Sequence, residues 1–443
     1  CSETQERFMW VAPPDLTPMI LDHYNKVFDL PGVSGGAQAS VIGKIRNDGN
    51  YIVHNGDEEI INAPAEKITK GFLYDRPYKE CKKKVFEPII SEPYNYNKTL
   101  LNILSHENLA SRKIIYEKYD KQVQGRVLIE AGKADSGVIM PFNNENFPEE
   151  IQNVGIALST DHNPLYGLID PYWCGVNAVV EAMRNVAAVG ATPHAVTDCL
   201  CFGNPENEHQ MWDFVEAVRG VSDACHKITL KDNPDCATPI IAGNVSFYNE
   251  SKNGPIPPSP IVSCLGLLKD AHKTVPLDFQ KPHSIIYMIG ERKDELGGSI
   301  YYSLHGELGA NVPKPNLEEV KNQIFAITDC IEEGLVLSCH DISDGGIASA
   351  LAEMTFRNKI GCDIKITCDI PNDKILFSET GGFIIEVSLN NVGAIEKQFL
   401  KHFIPIYNIG STTSKKFIKI NELIMLPIEK GKKAWDNGLK DKL

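Results

Sequence analysis

The sequence has no apolar run approaching the ~18 residues that a membrane-crossing helix needs, and no signal-peptide pattern at its start, so the cytoplasm is the expected compartment. It also lacks an excess of positive charge. Lys and Arg number 44 against 58 Asp and Glu, a formal net charge of -14, which argues against a general nucleic-acid or membrane-surface binder because phosphate contact needs clustered cations. The one dense basic run, Lys82-Lys83-Lys84, lies in a polar stretch. No Cys-x-x-Cys pair occurs, and the twelve cysteines are scattered beside apolar residues, as in Cys264-Leu265 and Cys330-Ile331. They read as reduced, buried thiols. Cys199-x-Cys201 could hold a soft metal, yet it has no second pair at zinc spacing. The absence of G-x-x-x-x-G-K-[ST] excludes a P-loop, and no G-x-S-x-G elbow or H-E-x-x-H occurs.

What is present suits an ordinary soluble protein: 443 residues, 42% hydrophobic and 23% charged, enough for two or three domains. The chain also echoes itself. Ser2-Glu3-Thr4, a short spacer and the apolar Phe8 to Val11 recur as Ser378-Glu379-Thr380 and Phe383 to Val387. Each copy then runs through a helix-like stretch to a strand ending Ile-Gly, at Ile42-Gly43 and Ile409-Gly410. Such self-similarity makes residues 1 to about 75 the expected tail of an earlier repeat.

Within that tail, Leu16 to Phe28 has helical spacing, Ser40 to Ile45 and Tyr51 to His54 read as strands, and Asn55-Gly56 as a hairpin turn. Residues 72–100, with Pro77, Pro88 and Pro93, read as an extended connector. Strands and helices alternate beyond it. The clearest helix is Pro171 to Ala188, opened by Asp170-Pro171 and closed by Gly190; a second covers Pro205 to Cys225. Strands are expected at His194 to Leu200, Pro239 to Ser246, Pro260 to Leu268 and Ser284 to Ile289, with helices at Leu317 to Glu333 and Gly346 to Phe356.

Three stretches place polar groups where a strand ends, the place where ligands gather in open α/β folds: Thr197-Asp198-Cys199, Gly243-Asn244-Val245-Ser246, and His340 to Gly346. Gly243 permits close backbone approach, Asn244 offers a carbonyl oxygen to a hard cation, and Ser246 offers a hydroxyl. With Asp198 nearby they could hold magnesium and a nucleotide; the plain alternative is that Gly-Asn is a turn. His340 to Gly346 could bind an anion at a helix start, or Asp344 could cap that helix. Glu295-Leu296-Gly297-Gly298-Ser299 could likewise be an anion nest or only a turn. His162 reads as polar surface rather than an acid-base catalyst.

These stretches together resemble phosphoribosylformylglycinamidine synthase, the purine-biosynthetic amidotransferase, in its smaller bacterial and archaeal large-subunit form. The resemblance rests on Ser2 to Arg7, Asp75 to Glu80, Arg184-Asn185 through Gly190 to Pro193, Thr197 to Leu200 with Phe202 to Pro205, Gly243 to Ser246 with Tyr248 to Glu250, and His340 to Gly346. Members of that family contain two fused halves, each a smaller domain of a shared barrel plus a larger α/β domain. The resemblance therefore implies an α/β (α+β) fold of the aminoimidazole ribonucleotide synthetase-like kind. Residues 1–75 would end a first-half C-domain, 76–270 would be the linker and second-half N-domain, and 271–443 the second-half C-domain.

It further implies ATP- and ammonia-dependent conversion of formylglycinamide ribonucleotide to its amidine, with ATP and Mg2+ as cofactors. The implied partners are the first half of the synthase, a glutaminase subunit and a small accessory subunit. By the same resemblance Asp198 and Gly243 contact ATP, Asn244 binds magnesium, Ser246 touches the substrate, and Glu3, Thr4 and Gln5 match a substrate-contacting triplet. That triplet is usually Glu-Ser-Gln, so Thr4 departs from it while keeping the hydroxyl. The family's catalytic histidine, its ATP-contacting lysine and most metal carboxylates belong to the first half, so this chain alone is expected to be inactive. Two alternatives stand beside this: a homodimeric relative of the same fold, such as a synthetase or kinase, and a non-catalytic scaffold or nucleotide-binding half.

Overall fold

A computed structural model describes residues 7–71, 75–440 and 442–443. It separates into two compact units, Cys1–Asp75 and Arg76–Leu443. In the first, helix α1 (Thr17–Asp22) runs on into a wider turn, His23–Val27. A hairpin follows, β1 (Asn50–Asn55) with β2 (Glu58–Pro64), turning at Gly56 with φ 61°. Helix α2 (Ala65–Lys70) closes the unit. Stretches 8–11 and 40–45, which read as strands, are not strands here. A strand exists only through its ladder, and the sheet of this unit has two members, β1 and β2. No described residue of the unit is fully buried. The Glu3, Thr4 and Gln5 triplet lies outside the described residues.

The second unit opens with a strap rather than a loose connector. Residues 76–95 have no regular structure, yet Lys83 Nζ reaches the buried Asp213 at 2.8 Å. Glu87 accepts the Tyr302 hydroxyl and the Ala310 N–H at 2.6 and 2.9 Å. The extended stretch ends sooner than its composition indicates. Asn95 accepts the Lys98 N–H and caps helix α3 (Tyr96–Leu104), in which Leu100, Ile103 and Leu104 are fully buried.

A six-stranded sheet comes next: β3 (Val127–Ile129), β4 (Gly137–Ile139), β5 (Gly155–Asp161), β6 (Thr192–Cys201), β7 (Ile240–Ser246) and β8 (Ser259–Leu268), in the order β3-β4-β5-β8-β6-β7. All its pairs are antiparallel except β6 with β7. Helices α4 (Pro171–Ala188) and α5 (Glu208–Lys227) cover one face. The sequence marks α4 at both ends for physical reasons. The Asp170 carboxylate accepts the N–H groups of Tyr172 and Trp173 at 3.1 and 3.2 Å, Pro171 needs no donor there, and Gly190 takes φ 90° past the end.

The seven-stranded sheet contains β9 (Ile285–Ile289), β10 (Val336–Ile342), β11 (Gly361–Ile364), β12 (Gly382–Val387), β13 (Ile406–Thr413), β14 (Phe417–Ile420) and β15 (Ile424–Pro427), in the order β10-β12-β9-β13-β11-β14-β15. Helices α6 (Leu317–Glu332), α7 (Gly346–Glu353), α8 (Val392–Lys401) and α9 (Ile428–Asn437) accompany it. Alternation along β9 explains its burial on both sides: Tyr287 and Ile289 join a core with Val179, Met183, Ile327 and Phe383, while Ile286 and Met288 join one with Leu100 and Ile347. The first of these cores includes residues of both sheets, and α4 packs directly on α6. At about 1.5–3 kcal/mol for each fully buried aliphatic side chain, that shared layer holds the second unit together.

The two units end alike. A hairpin closes on a proline (Pro64, φ -54°, ψ 127°; Pro427, φ -58°, ψ 131°) that opens a terminal helix, α2 in one and α9 in the other.

Candidate active site on the open sheet, and a buried acid network

Register decides which strand-end residues meet. Val262 on β8 pairs with Asp161 on β5 and Asp198 on β6, and Asp198 pairs with Gly243 on β7. Paired residues share a face, and Val262 is fully buried in the core that includes the α4 side chains. Asp161, Asp198 and Gly243 therefore lie on the helix-covered side. The next positions face the other way: Cys199 beside Asn244, and Cys201 beside Ser246. The four predicted residues thus fall into two pairs with the sheet between them. Gly243-Asn244 is strand, not turn.

Asp198 and Gly243 interlock. Both carboxylate oxygens lie 2.8 Å from the point a Gly243 β-carbon would occupy. Burial pushes the Asp198 carboxyl above its ordinary value, against the opposing backbone N–H of Asn244. On the other face Asn244 is exposed, and the Ser246 hydroxyl is held in an exchange with the Asn249 side chain at 3.1 to 3.3 Å. That face also carries the Thr160 and Ser263 hydroxyls, 2.7 Å apart, and exposed Ile139 and Leu158. No described helix covers it. One neutral oxygen, that of Asn244, fits magnesium as a minor part of its ligand set, since that ion takes phosphate oxygens and water for the rest.

Between the two sheets lies a second constellation, which reading the sequence did not assemble. Asp135 from the β3–β4 loop accepts from His340 Nδ1 at 2.7 Å with one oxygen and from the Asp341 N–H at 2.8 Å with the other. Glu353 stands 3.5 Å from Nε2 of the same ring. Arg184 on α4 is buried with its Nη2 3.6 Å from Asp341 Oδ2, and Asn185 donates to Asp161 at 2.9 Å. Asp341 Oδ2, Asp161 Oδ2 and Arg184 Nε make no hydrogen bond among the described residues.

Burial and crowding of like charge raise several carboxylates of this network. Burial raises Asp161 to about 7 and Asp341 to about 6, and Glu181 well above its usual range, each with a further upward push from neighbouring carboxylates. Asp344 is raised to about 6 by burial and by Asp341. Burial pulls His340 down, but the charge and hydrogen bond of Asp135, together with Glu353, outweigh it and hold the imidazole well above its ordinary value.

Glu379, from the repeated Ser-Glu-Thr, anchors the same region. One of its oxygens accepts the N–H groups of Ile300 and Gly345, each at 2.9 Å, and the other accepts the Tyr166 hydroxyl at 3.0 Å. Burial raises it to about 8. The start of α7 is thus tied by Glu379; Asp344 makes no side-chain cap there. The Gly297-Gly298 pair is a turn, its N–H groups spent on the carbonyls of Asn311 and Leu308. His162 is mostly buried with Nδ1 unpartnered, and burial pushes it down to about 4, so it is not polar surface.

The architecture, a six-stranded sheet open on one face joined through a helical layer to a larger mixed sheet, defines a class. The description "AIR synthase related protein, N-terminal domain" matches residues 134–268, and "AIR synthase related protein, C-terminal domain" matches residues 281–421. The chain belongs to the AIR synthase-related family.

Within that family it is similar to the phosphoribosylformylglycinamidine synthase subunit PurL. Identity is 40% over 450 residues with that of Methanothrix thermoacetophila and 36% over 451 residues with that of Methanocaldococcus jannaschii. These alignments take 99% and 98% of this chain but 57% and 58% of the relatives, so the chain spans little more than half their length. Among solved structures, T. maritima PurL complexed with FGAR superposes with a TM-score of 0.60 at 17% identity, over 77% of this chain and 54% of that one. PurLQS from Thermotoga maritima gives 0.56 at 19%, over 76% and 52%. At such identities the likeness is one of fold.

Proposed function

We propose that the chain provides the second half of phosphoribosylformylglycinamidine synthase and completes an active site together with a first half. The observation that carries this is the uncovered face of the six-stranded sheet, where Asn244 and Ser246 stand among hydroxyls and exposed apolar side chains. An apolar face of this kind calls for a partner, and the matching sheet of a first half would close it into a barrel. The ammonia comes, on this reading, from a glutaminase subunit with a small accessory subunit.

In the reaction the substrate amide oxygen attacks the γ-phosphate of ATP and ADP leaves; ammonia then adds at the amidine carbon and phosphate departs. The contribution of this chain is placement, which lowers the barrier by holding reactants in register. Ser246, steadied by Asn249, offers a hydroxyl to the substrate, and on the opposite face of the sheet Asp198, folded over Gly243, contacts ATP with it at the strand ends. Asn244 would be one ligand of magnesium, which would neutralise phosphate charge. On this reading the catalytic histidine and the ATP-contacting lysine belong to the first half, so the chain alone should not turn over. The triplet Glu3, Thr4 and Gln5 belongs to the same reading as a substrate contact.

The test is ADP release that requires both ammonia and formylglycinamide ribonucleotide, measured for the chain alone and with a family first half. Turnover only in the mixture is expected. Turnover by the chain alone would overturn the shared site. Absence in both, with the pieces folded and associated, would favour a scaffold, which the buried Arg184 network suits.

A further inference from the structure

Cys199 and Cys201 project from β6 onto the open face, and their sulfurs stand 3.8 Å apart. Two sulfurs bound to one zinc ion at about 2.3 Å and a tetrahedral angle are themselves about 3.8 Å apart, so these thiols already span one edge of that coordination figure. A disulfide suits the pair less well. Its sulfurs would have to close to about 2.0 Å, and Cα atoms two residues apart on a strand, about 6.7 Å, sit at the outer limit of disulfide geometry.

A third ligand is at hand. Asn244 is the register partner of Cys199, and its Nδ2 lies 4.0 Å from Cys199 Sγ. A half-turn about the last side-chain bond exchanges that nitrogen for the amide oxygen. The hydroxyl of Ser246, opposite Cys201, is engaged by Asn249, which leaves solvent for the fourth position.

We propose that Cys199, Cys201 and Asn244 form a binding site for a soft, tetrahedral cation of the zinc class. Binding releases the two thiol protons to solvent, forms two metal–sulfur bonds and changes no oxidation state. Because the site uses the amide assigned to magnesium above, a bound soft cation would withhold Asn244 from catalysis; that consequence rests on the proposed function, whereas the binding does not.

The test is titration of the reduced full chain with Cd2+, following thiolate-to-metal charge-transfer absorption, with Zn2+ as competitor. One equivalent should bind to the unaltered chain and be displaced by Zn2+. Cys199→Ser and Cys201→Ser should each weaken binding by more than the roughly 10-fold that loss of an outer partner costs a metal site. Cys236→Ser and Cys368→Ser, at exposed and separate cysteines, should leave it unchanged. Circular dichroism of each variant establishes that the fold is retained. A band that survives the Cys199→Ser/Cys201→Ser double variant, or no band in the reduced, folded chain, would overturn the proposal. Failure of the ADP-release test would leave this result standing.

Discussion

The Asp198 carboxylate occupies the space that a β-carbon on Gly243 would take, with both oxygens 2.8 Å from that point. Gly243 therefore owes its identity to its neighbour across the β6–β7 ladder rather than to a turn. Gly243→Ala should force the Asp198 carboxylate aside and cost no more than about 1 kcal/mol, the low end of the overpacking range, because a side-chain end beside an exposed edge strand can give way. Combining it with Asp198→Ala should recover most of that loss, because the obstacle is then gone. Thermal unfolding of the two single variants and the double variant measures the coupling. Strictly additive losses would show that the close approach carries no energy.

The acid network sets the direction of the pH dependence. Asp161, Asp341, Asp344 and Glu379 have folded values of about 7, 6, 6 and 8, all above the unfolded range. The folded chain thus holds protons that the unfolded chain has released, and stability falls as pH rises. The contribution is complete below about pH 4 and is lost on passing through those folded values. His340, also raised, acts in the same sense, whereas His162, lowered to about 4, loses its contribution on the acid side. The melting temperature should therefore drop between about pH 5 and about pH 8. Glu379→Gln, which mimics the protonated side chain and keeps an acceptor for Ile300 and Gly345, should flatten the upper part of that slope. A melting temperature that rises steadily from pH 5 to 8 would contradict the network.

Much of this was legible in the sequence, though not evenly. Helix α4 could be read to the residue because Asp170-Pro171 and Gly190 mark its ends locally. Asp198, Gly243, Asn244 and Ser246 could be read as strand-end polar residues, but the face each occupies could not. That depends on the parallel β6–β7 register between segments some 45 residues apart, which local pattern does not encode. The acid network draws on Asp135, Asp161, Arg184, Asp341 and Glu379, far apart in the chain. A signal existed, because Arg184, Asp341 and Glu379 all lie in stretches that stood out as motifs or as the internal echo. Taken singly, none of the three points to the others, because only the tertiary fold brings them together. The stretches at 8–11 and 40–45 mislead for the opposite reason, since local pattern promises strands that have no described ladder partners.

Arg184 is the one arginine or lysine paired with Asp341 among the described residues, and any side chain at Gly381 would run into its guanidinium. Arg184→Met should be strongly destabilising, by about 3–5 kcal/mol, because it strands buried carboxylates without a counter-charge. Arg184→Met with Asp341→Asn should recover part of the loss by removing one of them. Urea unfolding of both variants at neutral pH is the measurement. Equal stability of the single variant and the unaltered chain would mean that the acids are already neutral and need no partner.

The strap makes a prediction about motion. Glu87 fastens one end of it, since one carboxylate takes the Tyr302 hydroxyl and two consecutive backbone N–H groups, Ala310 at 2.9 Å and Asn311 at 3.2 Å. Glu87→Ala leaves the Ala310 and Asn311 N–H groups where water can replace the lost bonds and the buried Tyr302 hydroxyl without its acceptor, so global stability should fall by about 1–3 kcal/mol. Local opening should change far more, because residues 76–95 have no ladder or helix of their own and are held by individual side-chain and backbone contacts. Limited proteolysis should then cut within this stretch well before the rest of the second unit, and amide exchange at Ala310 and Asn311 should accelerate. Lys83→Ala would loosen the other end at Asp213, leaving a buried carboxylate without its partner, and should cost more stability than Glu87→Ala for a smaller gain in local exchange near Tyr302. If both variants resist the protease as the unaltered chain does, the strap is held by its apolar contacts and not by these two carboxylates.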